Sequence, residues 1–126
     1  MTSEHWQLEP DAHDFPAAGT YLSLICDAAV VEKIVALLHA APSSIYQAKD
    51  LLRASGLALL DKNNQHVEKD LDKVKSGHKL SPVLLVRGNF AKRRGLVVAD
   101  GYHRICASYW LDEDAPIPCR VADLPT

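Results

Sequence analysis

The sequence predicts a single α+β domain, and three observations support this fold class. Helical periodicity and capping residues dominate the first 60 residues, whereas short apolar runs bounded by proline and glycine follow residue 80. The chain has 126 residues, which is the size of one domain. Hydrophobic residues make up 48% and charged residues 24%, as in globular proteins and unlike disordered chains, collagen-like fibres or disulfide scaffolds.

The N-terminal part is predicted to contain an extended arm and two helices. Residues 1–13 show little periodicity and form the arm. Asp14 is placed to cap a first helix with a proline in its first turn, although the β-rich run 20–26 (TYLSLIC) also fits a strand. Asp27 caps a second helix with a clear apolar face, and Pro42 ends it.

Two further helices are predicted before the first strand of the C-terminal half. Ser44 and Gln47 match a capping box, which predicts a third helix that ends at Gly56. The apolar residues 57–60 (LALL) read as a short strand. Asn64 caps a fourth helix, and its charged faces indicate that this helix lies on the surface.

Short apolar runs then mark the sheet. Residues 82–86 (PVLLV) and 96–100 (LVVAD) read as buried strands joined by a basic hairpin loop, and residues 101–111 have helical spacing. The run APIPCRV reads as a last strand. Because Pro116 and Pro118 lack the N–H groups of a sheet ladder, we expect this strand at an edge. The predicted order is helices first, then α-β-β-α-β.

The net charge of −2 hides an asymmetry along the chain. Residues 1–50 hold seven acidic and two basic residues, whereas residues 62–104 hold ten Lys or Arg against four Asp or Glu. A positive segment in a mildly acidic protein indicates a local anion site, although a solvated charged face explains the same charges.

The cysteines and the apolar runs indicate the compartment. Cys26, Cys106 and Cys119 are widely spaced and lack zinc-finger spacing, so we predict reduced thiols. No apolar run approaches the roughly 20 residues of a membrane span, and the N-terminus lacks a secretion signal. We therefore expect a cytoplasmic protein without a membrane partner.

The most informative segment is DGYHR, residues 100–104, where a strand runs directly into a helix. Gly101 permits a sharp turn, and the free N–H groups of the helix start, at Tyr102 and His103, can bind an anion. Arg104 is a bidentate donor for phosphate, and His103 can donate a hydrogen bond or move a proton. Asp100 can cap the helix, ligate magnesium or act as a base. Ordinary turn chemistry and an Arg104 ion pair explain the same residues without a ligand.

The DGYHR segment resembles the DGHHR-type signature of the ParB/sulfiredoxin-like superfamily, which includes the ParB N-terminal or ParB-like nuclease domain. The resemblance covers residues 60–126, and residues 1–59 would be an N-terminal arm and helical extension of one compact unit. It implies a small mixed sheet with flanking helices and a site at the DGYHR turn. Sulfiredoxins carry cysteine where this chain has Tyr102, which argues against sulfinic acid repair.

At the motif, the chain is most similar to free-serine-kinase-like members of that superfamily. The resemblance implies binding of a phosphorylated small molecule, such as ATP, ADP or CTP with magnesium, and phosphoryl transfer or hydrolysis. Gly101, Tyr102, His103 and Arg104 would bind phosphate, His103 and Asp100 would be catalytic, and Asp100 would hold the metal. Such a kinase needs a carboxylate base elsewhere, for which Glu68 is the candidate.

Two other classes of function remain open at this stage. The basic hairpin carries Lys92, Arg93 and Arg94, which could contact the phosphates of a nucleotide or of DNA in a nuclease-like module. Alternatively, the acidic helical residues 1–60 could dock a protein partner in a non-catalytic domain. A homo-oligomer is compatible with each of these functions.

Overall fold

A computed structural model describes residues 5–125, and within this range the chain forms five α-helices and four strands. Helices α1 to α5 span Asp14–Leu22, Ala28–Ala40, Ala48–Ser55, Gln65–Lys75 and Tyr102–Leu111, and strands β1 to β4 span Ser43–Gln47, Val83–Val86, Val97–Asp100 and Pro116–Ala122. The prediction of an α+β domain is therefore confirmed. No helix of this range is long and apolar enough to cross a bilayer.

The four strands form one mixed sheet in the order β1-β4-β2-β3. Strand β4 runs antiparallel to β1 and parallel to β2, whereas β2 and β3 form an antiparallel hairpin. The predicted strands of this hairpin are confirmed, and its basic loop contains a short 3₁₀ turn at Phe90–Lys92.

The sheet separates two hydrophobic cores. Because successive strand residues point to opposite faces, Leu84 and Val86 pack on one side while Val83 and Leu85 pack on the other. Helices α1 and α2 cover the first face, and α3, α4 and α5 cover the second. The result is a three-layer arrangement with the sheet between two layers of helices. A functional site can therefore lie at the ends of the strands.

The prediction of a capping box at Ser44 and Gln47 is wrong, because residues 43–47 form strand β1. This strand pairs with β4 over five residues, from Ser43 opposite Arg120 to Gln47 opposite Pro116. Gln47 is the N-cap of α3 but makes no side-chain capping bond. A partner more than 60 residues away thus overrides a local helical pattern. The expected strand at 57–60 is not formed.

The prediction that the last strand lies at an edge is also wrong, since β4 lies between β1 and β2. Both prolines occupy the part of β4 that pairs with β1 alone, because β2 joins only from Cys119 onwards. Pro116 and Pro118 therefore leave no hydrogen bond to β2 unmade. Proline is disfavoured in central strands, and in β4 this applies only to the half of the strand that has a neighbour on each side.

Helix termini follow the sequence pattern in most places. The side chains of Asp27 and Asn64 accept N–H hydrogen bonds at the starts of α2 and α4, and Gly56 ends α3 in a left-handed conformation with φ 70°. Asp14 does not cap α1, because His13 is the N-cap residue and makes no side-chain capping bond. The Asp14 carboxylate instead accepts a hydrogen bond from Ser81 Oγ.

The N-terminal arm is docked against the rest of the chain. Trp6 is 3% exposed and packs in the core beneath α3 to α5. Its backbone forms a parallel bridge with Leu80, and the Gln7 N–H donates to the Leu80 carbonyl at 2.8 Å. The arm thus lies beside the segment that leads into β2.

We expect Trp6→Ala to lower the free energy of unfolding by about 3 kcal/mol, because it empties a buried aromatic site. The matched control is Leu8→Ala, which removes an 82% exposed side chain from the same arm and should change stability by less than about 0.5 kcal/mol. Urea unfolding measures both variants, and equal losses would show that the arm is not held by Trp6.

Candidate functional site

The turn between β3 and α5 depends on a glycine. Gly101 has a φ of 113°, which side-chain-bearing residues rarely adopt. A Cβ at this position would lie 2.5 Å from Val83 Cγ1 and 2.9 Å from Arg104 Nη2. Because Gly101 is the N-cap and brings no side chain, the first turn of α5 has no side-chain cap. The Asp100 carboxylate does not cap the helix either, since it pairs with Arg104.

A partly buried ion network lies beneath this turn. Arg104 Nη2 is 2.9 Å from Asp100 Oδ2 and 3.7 Å from Asp14 Oδ2, and it donates to the Pro82 carbonyl at 3.4 Å. Ser81 Oγ donates to the same Asp14 oxygen and accepts the Asp11 N–H at 3.0 Å. Arg104 therefore joins α5 to the end of β3 and to the start of α1, and two carboxylates neutralise its charge.

The DGYHR turn opens into a cleft of about 440 Å³. Its walls are the start of α5, one face of α4, the N-terminal arm and the segment that precedes β2. Among the described residues, its lining has three groups of titratable side chains, namely the cations Lys69, Lys73, Lys79 and Arg104, the histidines His13, His66, His78 and His103, and the carboxylates Asp11, Asp70 and Asp100. Cations and histidines together outnumber carboxylates around the start of α5.

His103 is the residue at the start of α5 whose side-chain type titrates near neutral pH. Its ring centroid lies 4.7 Å from that of His66, at an interplanar angle of 44°, and 5.6 Å from that of Tyr102. Burial lowers the pKa of His103 below its usual value, and the nearby His66 lowers it further, while the Asp70 carboxylate opposes both effects. His103 is therefore a neutral imidazole at neutral pH, able to donate one hydrogen bond and accept another.

Two carboxylates of the cleft are held in a weakly hydrated environment. Burial raises the pKa of Asp70, although the nearby Lys73 and Arg104 favour its charged form. Burial also raises the pKa of Asp100, against the attraction of Arg104. Asp100 ends β3 and is engaged by Arg104, whereas Asp70 lies on α4 and makes no side-chain hydrogen bond among residues 5–125.

Tyr102 contributes to the site through its backbone. Its hydroxyl donates to the Ala58 carbonyl at 2.6 Å, which ties α5 to the segment after α3. Burial raises the pKa of this phenol, so it stays protonated at neutral pH. The group of Tyr102 that can meet an anion is its N–H in the first turn of α5.

The candidate base Glu68 is exposed on α4 and does not line the cleft. The cleft-lining positions of this helix are His66, Lys69, Asp70 and Lys73, which follow the i, i+3, i+4, i+7 spacing of one helical face. Asp70 is thus the α4 carboxylate that the structure brings to the cleft. That spacing is visible in the sequence and is the signal that identifies Asp70.

Lys92, Arg93 and Arg94 are exposed on the hairpin, and none of them lines the cleft. Arg94 instead lines a separate, mainly apolar groove beside Leu85 and Leu96. The hairpin cations and the DGYHR turn are therefore distinct surfaces, and the nucleic-acid alternative, which depends on the hairpin, remains a prediction.

One cluster beside the cleft has the donor set of a metal site. Ligand atoms of Asp11, His13 and Asp14 lie within 4.8 Å of one another. Its imidazole is a donor that transition metals accept readily, whereas magnesium prefers oxygen ligands and retained water. Asp100, the predicted magnesium ligand, lies outside this cluster and has a guanidinium 2.9 Å from its carboxylate.

A scan against protein-family models and searches of curated proteins and of solved structures found no match to this chain. The resemblance of DGYHR to the ParB/sulfiredoxin-like signature therefore stays a prediction. The geometry of the cleft is what indicates a function.

We expect Gly101→Ala to be more destabilising than Gly77→Ala. Both glycines have positive φ, so both variants lose about 1 kcal/mol to backbone strain. Only at Gly101 does the new methyl group meet Val83, whereas at Gly77 it meets nothing within 4 Å, so the Gly101 variant should lose about 2 kcal/mol more. Urea unfolding of the two variants measures the difference, and equal losses would contradict the close approach of the turn to β2.

Proposed function

We propose that the cleft binds a phosphorylated small molecule, such as a nucleotide, with its phosphate at the start of α5. The observation that carries this proposal is that Lys69, Lys73 and Lys79 line the same cleft as a helix N-terminus without a side-chain cap. Free N–H groups and the positive end of the helix dipole favour an anion there. The lysines add mobile charges that can follow the oxygens of a phosphate.

Within this proposal the DGYHR residues have separate roles. Gly101 lets the ligand approach the backbone, and the N–H groups of Tyr102 and His103 bind phosphate oxygens. Arg104 holds the turn in place through Asp100 and Asp14, because its charge is already shared with these two carboxylates. The lysines of α4 therefore supply the charge that a free arginine would otherwise supply.

We further infer that the site can support phosphoryl transfer or hydrolysis. The neutral imidazole of His103 can accept the proton of an attacking hydroxyl or water, with Asp70 nearby to stabilise the resulting imidazolium. A divalent ion with affinity for imidazole would fit the cluster of Asp11, His13 and Asp14, and it would neutralise phosphate charge. The resemblance to kinase-like members of the ParB/sulfiredoxin-like superfamily supports the same chemistry.

Thermal unfolding with ATP, ADP, CTP and GTP, each with and without magnesium, tests the binding. A ligand at about 100 times its Kd adds roughly 2.7 kcal/mol, which raises Tm by about 10 °C in a domain of this size. The double variant Lys69→Ala/Lys73→Ala should lose the shift. The matched control Lys92→Ala/Arg93→Ala removes the same charge from the hairpin and should keep it.

No shift with any nucleotide would overturn the nucleotide proposal. A shift that is lost in the hairpin control and kept in the α4 variant would move the binding site to the hairpin.

Anion affinity should also depend on pH through His103. The imidazole has a lowered pKa and is neutral at about pH 7.5, where it can act as a base, whereas at lower pH it gains a proton and the imidazolium attracts a dianion more strongly. Sulfate is the suitable probe because its own charge is constant in this range. Calorimetry should give several-fold tighter binding at about pH 5.5 than at about pH 7.5, and His103→Gln should remove part of this change, because His13, His66 and His78 also line the cleft. An identical pH dependence in the variant would exclude His103 from the anion site.

A further inference from the structure

Strand β1, Ser43–Gln47, is an edge strand with one side open. It pairs with β4 alone, and all of its residues except Ser44 are exposed. Outside that ladder, residues 43–47 make no backbone hydrogen bond to any other segment of residues 5–125. The outer side of β1 therefore presents free backbone donors and acceptors to solvent.

The ladder with β4 identifies which backbone groups point outward. Ile45 lies opposite Pro118, and Gln47 lies opposite Pro116. Because proline has no N–H, these pairs cannot exchange two hydrogen bonds, and the alternation of an antiparallel ladder makes them the non-hydrogen-bonded pairs. The N–H and C=O groups of Ser43, Ile45 and Gln47 consequently face away from β4.

β1 lacks the features that protect most edge strands. Its sequence SSIYQ contains no charged residue and no proline, and its register with β4 is regular over five pairs. The other edge strand, β3, is different, because it has four residues, ends in Asp100 and faces an irregularity of register in β2. At the centre of β1, the Ile45 side chain is 61% exposed.

We propose that β1 pairs antiparallel with β1 of a second copy of this chain, with the two-fold axis at Ile45. The outward groups of Ile45 then bond to Ile45 of the partner, and Ser43 lies opposite Gln47. Polar side chains meet polar ones, the isoleucines bury each other, and no charged side chain of β1 is brought against a like charge. Next to the strand, Lys49 is neutralised by Asp114 at 2.6 Å. The pairing would join two four-stranded sheets into one.

Sedimentation equilibrium of the full chain, from about 1 μM to about 1 mM, tests the pairing. We expect the wild type to shift from monomer to dimer in this range. Ile45→Glu and Ile45→Lys each place like charges opposite one another and should be monomeric. An equimolar mixture of the two variants should recover the dimer, because glutamate then faces lysine. The matched control Ile25→Glu changes a 55% exposed isoleucine far from β1 and should dimerise as the wild type does.

A wild type that is monomeric throughout this range would overturn the proposal. A dimer that persists equally in Ile45→Glu would overturn it as well, since another surface would then be responsible. Far-UV circular dichroism of the Ile45 variants checks their folding, and recovery of the dimer on mixing also requires both variants to be folded.

Discussion

The placement of Arg104 between Asp100 and Asp14 is the interaction on which the site depends. It joins the first turn of α5 to the end of β3 and to the start of α1. Partly buried charges need partners, so removing either carboxylate would leave a cation poorly compensated. Ser81 and the close contact of Gly101 with Val83 position the same turn from β2. Contacts within the protein therefore fix the position of the turn.

This network divides the cations of the site into two kinds. Arg104 is largely withdrawn from solvent and neutralised, whereas Lys69 and Lys73 are exposed on α4 and face the cleft. The helix start can bind the phosphate group in a fixed position. The long lysine side chains can adjust to ligands that differ in the rest of the molecule. Burial lowers the pKa of His103 beside them, which favours a neutral imidazole at neutral pH.

The sequence predicts the parts of this site that depend on neighbouring residues. The strand–glycine–helix turn at Gly101, the cap at Asn64 and the two strands of the hairpin follow from local chemistry, and all are observed. The pairing of β1 with β4 and the contact of Asp14 with Arg104 join segments far apart in the chain. No local pattern encodes them, so Ser44 and Gln47 match a capping box although they lie in a strand. The sequence shows that Asp70 lies on one face of α4, but only the packing of α4 in the folded chain shows that this face lines the cleft.

The order of the strands places the candidate anion site and the proposed dimer strand at opposite edges of the sheet. β3 delivers Asp100 to the cleft at one edge of the sheet, and β1 forms the opposite edge. With about 4.8 Å between neighbouring strands, the two edge strands lie about 14 Å apart. Pairing through β1 would therefore extend the sheet at the edge opposite β3. The two proposals can therefore be tested separately, because the proposed dimer depends on β1 and the proposed anion site depends on the turn that follows β3.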